Sequence, residues 1–432
     1  MRRKNHFYLL TRKGIIIMTV LERFLKYIEI PTTSDEESTT CPSTPNQKVL
    51  GQMLVEELQG MGIQDVAMDE NGYVMATIPS NIDKEVPTIG FIAHIDTAPD
   101  LTTVGIEPRV VKDYDGSVIC LNEAKNIVLS PESYPSLLNY VGQDLVVTNG
   151  LTLLGADDKA GLAEIMSAAA YFTSNPDVAH GTIKIAFTPD EEIGRGADHF
   201  DVEKFGADYA YTLDGGEIGE LEYESFNANN VHITIHGQNV HPGSAKDKMV
   251  NSMQIAMELD RMLPQAQRPQ YTEGYEGFFH LQDMTGTVEE TKMFYILRDH
   301  DRSLFEKRKA LLKSSVDLLN QQYGEGTIDV DMKDMYYNMG EKIEPVYDIV
   351  ENAKEVMIDL GIEPIIRPIR GGTDGSRLSF MGLPCPNIFA GGHNFHGKHE
   401  FVPVQSMEKA VEVIKGIVAK AAKVSMASSE RS

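Results

Sequence analysis

Apolar residues recur at helical spacing in LERFLKYIEI (residues 21–30) and in NQKVLGQMLVEELQGMG (residues 46–62). Gly60 and Gly62 stand where the second helix should stop. VAMDENGYVMATIP reads as a hairpin turning at Asn71-Gly72, and VPTIGFIAHID (residues 86–96) as a buried strand. Residues 157–173, DDKAGLAEIMSAAAYFT, have helical periodicity, and IKIAFTPDEE and ADYAYTLDGG each open on a strand. Strands alternating with helices predict an α/β domain with a mainly parallel sheet. The pattern changes near Asn227. VHITIHGQ alternates as a half-exposed strand, SMQIAMELDRML is helical, and GFFHLQDMTGTVEETKMFYILRDHD contains two strands. A long helix, LFEKRKALLKSSVDLLNQQY, and a last alternating strand, TIDVDMKDMYYN, complete the order β-α-β-β-α-β of a ferredoxin-like α+β domain. A helix in YDIVENAKEVMIDLG and strands near IIRPIR and NIFAGG then return to α/β style. The expected organisation is a discontinuous first domain, residues 18–226 and 339–432, with residues 227–338 inserted.

Length and charge narrow the function classes. A chain of 432 residues suggests two or three domains, and 42% hydrophobic with 24% charged residues is ordinary for a globular protein. A net charge of -25 repels phosphate, so neither nucleic acid nor an anionic membrane is an expected partner. Cys41, Cys120 and Cys385 are far apart and form no CxxC pair, which points to a reducing, cytoplasmic setting. The first 17 residues are basic. They read either as a short, broken signal peptide or as a non-essential extension before a start at Met18, and the second reading is preferred. No apolar run approaches the ~20 residues of a membrane span.

The chemistry gathers at element ends. His94 and Asp96 are two apart on a strand and share a face. An imidazole that binds a metal through one nitrogen needs an acceptor at the other, which a nearby carboxylate supplies. The same pair is commonly a structural hydrogen bond. Asp157 and Asp158 open a helix, either capping it or placing Asp157 as a ligand. FTPDEEIGRG sets Asp190, Glu191 and Glu192 after an apolar strand, as a solvated loop or as a ligand beside a base. AYTLDGGEIGE ends another strand at Asp214. GGHNFHGKHEF carries His393, His396 and His399, three of the chain's twelve histidines, with Glu400 beside them. In open α/β sheets, ligands bind beyond the carboxyl ends of strands. There these groups would suit two divalent ions about 3.5–4 Å apart. Mixed imidazole and carboxylate donors favour zinc, with cobalt or manganese as substitutes.

FIAHIDTAPD, LLGADDKAG, FTPDEEIG, TLDGGEIGE, NVHPGSAK, RGGTDGSRLSFMGLPCPN and FHGKHEF together resemble the dizinc metallopeptidase family that holds carboxypeptidases, dipeptidases and deacylases. RGGTDG and FHGKHEF resemble its tripeptidase branch. The resemblance implies two zinc ions per subunit. His94 and Asp214 would complete one ion, Asp157 would bridge, and Glu192 and His396 would hold the other. His399 is the alternative to His396. Asp96 would stand behind His94, and Glu191 would be the general base. The inserted domain would serve as lid and homodimer surface, and His241, in NVHPG, would polarise the scissile carbonyl. Arg298 and Arg370 are candidates for a substrate carboxylate. For Arg298, a salt bridge with Asp299 or Asp301 is the rival reading. Gly371, Gly372 and Thr373 would offer donors beside the peptide, and Asp374 would meet a free amino terminus. The implied activity is removal of the amino-terminal residue from tripeptides, the alternative being a dipeptidase, carboxypeptidase or deacylase of the same family.

Overall fold

The computed structural model describes residues 9–10 and 16–423. The expectation for the first 17 residues lies almost wholly outside these; within it only Leu9–Leu10 and Ile16–Ile17 are described, as a paired two-strand ribbon. The chain forms two compact units. The first comprises residues up to Glu222, Lys342–Ile366 and Thr373 onward; the second comprises Tyr223–Glu341 and Arg367–Gly372.

An eight-stranded sheet organises the first unit. Its centre is β1 (Ile89–His94), β2 (Ile183–Thr188) and β3 (Tyr209–Gly215), all parallel, with β1 between the other two. Asn387–Phe389 extends the parallel set beyond β3. The hairpin of Asp65–Met68 and Val74–Ile78 closes the β2 side antiparallel. Every residue of β1 is buried, so the strand reads as a continuous apolar run rather than an alternation. The register sets Thr188 beside His94, so β1 and β2 end level. Helix α1 (Ala156–Ser174) packs on β1 and β3.

The first two residues expected to begin that helical run are not helical. Asp157 has φ -84° and ψ 105°, and Asp158 has φ -120° and ψ 32°. Neither caps the helix; the N-cap is Gly155, in the left-handed region at φ 73°, and no side chain bonds there. Acidic side chains at this turn are therefore free for other work.

One residue of α1 breaks the rule that buried polar groups are paired. Glu164 is fully buried and neither carboxylate oxygen has a hydrogen-bond partner. Burial alone pushes its carboxyl well above the ordinary 4.5, so it folds carrying a proton. Its contribution to stability is complete below the ordinary value and is lost as pH rises toward the raised one. Glu164→Met removes an unpartnered polar group and should stabilise by about 1–3 kcal/mol. Urea unfolding of both proteins at pH 5 and pH 8 checks this; the gain should be larger at pH 8.

In the second unit, strands β4 (Asn227–His236), β5 (Phe278–Gly286), β6 (Glu290–Asp299) and β7 (Ile328–Tyr336) form an antiparallel sheet in the order β5-β6-β4-β7. This is the ferredoxin-like order. Helices α2 (Ser252–Met262) and α3 (Arg302–Tyr323) contribute Ile255, Leu259, Leu312 and Val316 to one core with Val231, Ile233, Tyr295 and Leu297. The opposite residues of β7 are partly or fully exposed, as the alternation of TIDVDMKDMY requires.

Candidate active site

Three parallel strands deliver the chemistry to one place. His94 ends β1 and is 2% exposed. Its Nε2 lies 2.9 Å from Asp157 Oδ1 and 3.4 Å from Asp214 Oδ1, on β3. The other ring nitrogen, Nδ1, lies 3.0 Å from the Asp96 carbonyl oxygen and 3.4 Å from Asp96 Oδ1. Asp96 is fully buried, and its two carboxylate oxygens accept the backbone N–H groups of Glu191 (3.0 Å) and Glu192 (3.1 Å). One carboxylate thus faces the imidazole and also fixes the turn that follows β2. From the far side, His396 Nε2 approaches Glu192 Oε2 at 3.0 Å and Asp157 Oδ2 at 3.4 Å. Asp157 therefore shows one oxygen to each imidazole.

The structure brings His94, Asp96, Asp157, Glu191, Glu192, Asp214 and His396 together. His399 is turned away, 2.8 Å from the Tyr134 hydroxyl, and His393 pairs with Tyr140 at 2.7 Å. Two overlapping groups have ligand atoms within 4.8 Å of one another: His94 with Asp157 and Glu192, and His94 with Asp158 and Asp214.

Crowded acids shift one another. Burial and the Asp157 charge push Asp214 up to about 8, against the pull of His94. Burial and the same charge push Glu192 up to about 7, with His396 opposing. Burial, then the Asp214 charge, raises Glu191 well above the usual carboxylate range. For His94, burial acts downward, but the Asp214 charge and bonds to Asp157, Asp214 and Asp96 win, and its pKa stands well above 6.5. Hydrogen bonds to Asp157 and Glu192 push His396 up to about 11. Protons are thus held where positive charge is wanted. The buried Glu192 Oε1 and Asp158 Oδ1 have no hydrogen-bond partner. Two imidazoles, converging carboxylates and idle buried oxygens fit a pair of divalent ions.

The model of peptidase family M20/M25/M40 matches residues 152–420. The chain belongs to this family. It is similar to peptidase T of Alkaliphilus oremlandii, at 63% identity over 92% of this chain and 98% of that protein. Among solved structures it resembles aminopeptidase PepT of Bacillus cereus, with TM-score 0.73 and 24% identity over 94% of this chain and 98% of that one. It also resembles a tripeptidase of Staphylococcus aureus, with TM-score 0.75 and 22% identity over 94% and 98%. These two share the fold.

In this M20/M25/M40 chain, other expected site residues have local surroundings of their own. Asp374 opens the helix Asp374–Phe380 in the first unit; it is 5% exposed and its Oδ2 has no partner. Burial pushes it up to about 6, against the pull of His94, and its charge in turn raises Glu191. A Cβ at Gly196 would sit 2.1 Å from Asp374 Oδ1, so any side chain there would displace the Asp374 carboxylate. Thr373, just before, has a buried hydroxyl without a partner. Gly371 and Gly372 belong to the second unit; the Gly371 carbonyl accepts the Phe226 N–H, and Gly372 leaves room for the Tyr336 ring. His241 is exposed on the second unit, and its ring Nδ1 accepts the Gly243 N–H at 3.1 Å.

The two arginines part company. Arg370, expected at a substrate carboxylate, bonds within its own unit in this structure. Its Nη1 donates to the Gly274 and Glu276 carbonyls, its Nη2 to Thr272, and it lies over the Phe226 and Phe278 rings. These bonds hold the loop 272–276. Arg298 donates through Nη1 to the Asn229 and Leu297 carbonyls and, among the described residues, meets no carboxylate. Its rival partners are engaged elsewhere: Asp299 pairs with Arg308 at 2.7 Å, and Asp301 caps α3 at the Leu304 N–H.

Glu400 was missed as a site residue. Its buried carboxylate accepts the N–H groups of Leu154, Gly155, Ala156 and Asp157, at 2.8–3.2 Å. It moulds the turn that aims Asp157, from the segment that carries His396. The histidine-rich run hinted that the segment matters, but no local pattern marks an acid that serves backbone 245 residues earlier.

Proposed function

We infer that this chain is a metal-dependent aminopeptidase that removes the amino-terminal residue from tripeptides. The observation that carries this reading is the likeness to peptidase T at 63% identity across nearly the whole of both chains. His94, Asp157, Glu192, Asp214 and His396 would hold two divalent ions, zinc by the mix of imidazole and carboxylate. Bound there, such ions polarise a carbonyl and bring the pKa of water near ~7. Glu191 accepts the proton of the attacking water and returns it to the departing amine. Asp96 orients the His94 ring and, through two N–H bonds, holds Glu191 and Glu192 in register. Asp374, a buried acid with an idle oxygen beside Glu191, is proposed to receive the substrate's ammonium group. Arg298 is proposed for its carboxylate, because its guanidinium has no acidic partner among the described residues.

Cys41, Cys120 and Cys385 are free, which supports a cytoplasmic setting. Among the described residues no helix is long and apolar enough to cross a membrane.

A product assay tests the reading. A free tripeptide should yield an amino acid and a dipeptide, its N-acetylated form should be a poor substrate, and chelator should abolish turnover. Cleavage of the acetylated peptide at the same rate would turn the reading toward the deacylase or carboxypeptidase activities of the family. Equal turnover of tripeptides and hexapeptides would unseat the preference for tripeptides.

A further inference from the structure

Residues 30–47 have no part in the reaction above, yet they touch three of the segments that carry it. At one end, the buried Lys159, one residue past Asp158, donates Nζ to the Ile30 carbonyl at 2.6 Å. Next, Thr32 Oγ1 donates to the Ile95 carbonyl at 2.8 Å and Ser34 N–H to the Thr97 carbonyl at 3.1 Å. Those two carbonyls flank Asp96. At the other end the segment grips Asp190. Its carboxylate accepts Ser43 N–H at 2.7 Å, Ser43 Oγ at 2.5 Å and Gln47 Nε2 at 2.6 Å. In return the Asp190 N–H donates to Gln47 Oε1 at 3.1 Å. Asp190 is fully buried, Gln47 is 1% exposed and Ser43 7%. Arg195, whose N–H donates to the Asp190 carbonyl, reaches across to the Glu36 and Ser38 carbonyls.

Asp190 needs this grip. Its φ is 60°, a left-handed conformation that is uncommon for residues with a side chain, aspartate being one of those that reach it most readily, and here the surrounding bonds hold it. The residue after it is Glu191. Asp96 fixes the Glu191 N–H, but the direction in which the chain enters Glu191 is set by Asp190. We propose that residues 30–47 are a strap that positions Glu191, acting at Asp190 through Ser43 and Gln47. This rests on Glu191 being the base. Asp190, Ser43 and Gln47 are positioning residues and meet no substrate.

The Asp190–Gln47 contact can be reversed without changing size or net charge. Asp190→Asn alone sets an amide N–H against the donors of Ser43 and Gln47. Gln47→Glu alone sets two carboxylates together. With both changes, the asparagine amide donates to the glutamate, its oxygen still accepts from Ser43, and the glutamate still accepts the N–H of residue 190. Each single variant should lose about 10–100-fold in kcat, the scale of a misplaced catalytic group, with KM and metal content held. The double variant should recover most of that loss. The pH dependence of kcat/KM should move in the singles and return in the double. In a Glu191→Gln background, Asp190→Asn should cost nothing further, because two residues serving one function are not additive.

Normal kcat in a folded single variant overturns the proposal. So does a loss that tracks metal content or melting temperature, a double variant that stays slow, or a full further loss on top of Glu191→Gln. If a single variant does not fold, the isosteric double still decides. Near-normal turnover of Glu191→Gln alone would instead unseat the base, which is a separate result.

Discussion

Glu191→Gln should keep its metal and lose about 10²–10⁴-fold in kcat, the usual contribution of a general base. Glutamine has the same shape, and the backbone N–H of residue 191 still reaches Asp96, so the turn after β2 survives. What disappears is a carboxylate able to take a proton from water and release it to the leaving amine. Burial and the Asp214 charge hold the Glu191 pKa well above 4.5, which favours giving the proton back as much as taking it. Glu191 is the proposed base and not one of the five proposed ligands, so metal content should not change. A loss in kcat with KM little altered is the mark of an interaction made only in the transition state. Elemental analysis and steady-state kinetics on a free tripeptide provide both readouts. Near-normal turnover would move the base elsewhere, with Asp374 the first candidate, an acid whose charge acts on Glu191 and whose Oδ2 has no partner.

Much of this site was legible because it sits where periodicity ends. A buried strand stops at His94, another stops before Asp190, and a third ends through Asp214; each switch from apolar to acidic or imidazole marked a candidate. The inserted β-α-β-β-α-β order was equally plain, since six elements in sequence leave few ways to form one sheet with helices on a face. The turn at Asp157 and Asp158 was less so. Two acids before a helical run look like capping, and only the tertiary bonds from Glu400 show that the chain there is not helical. Arg370 illustrates the same limit. A guanidinium in a glycine-rich motif advertises anion binding, but three loop carbonyls compete for it, and carbonyls have no signature in a sequence. Ser43 and Gln47 carried no signal at all. They matter through Asp190, 147 and 143 residues away in the chain. The residue pattern also left the last helix, Val404–Ala421, unread, although its apolar positions bury against α1.

Stripped of metal, the protein should melt at a falling temperature as pH rises from 5 to 8, and divalent ions should flatten that slope. The sign follows from the direction of each shift. Asp214, Glu192 and Asp374 stand at about 8, 7 and 6, all above their ordinary values of 3.8, 4.5 and 3.8. In that range the folded chain holds protons that the unfolded chain has released. Their stabilisation is complete below pH ~4 and is lost as pH climbs through 6–8. The raised His94 and His396 act in the same sense, since each folded imidazole keeps a proton that the unfolded one gives up above about 6.5. Asp157 is depressed and acts oppositely, but its window lies below 3.8. The buried carboxylates together are worth on the order of a few kcal/mol across the range. Divalent ions replace those protons as the neutralising charge, so metal should bind more tightly with rising pH and expel protons as it does. Melts at pH 5, 6, 7 and 8 with and without chelator show the first effect; binding heats in two buffers of different ionisation enthalpy show the second. Parallel melting curves with and without metal, or binding that releases no protons near pH 6–7, would mean that these acids do not form one charged cage.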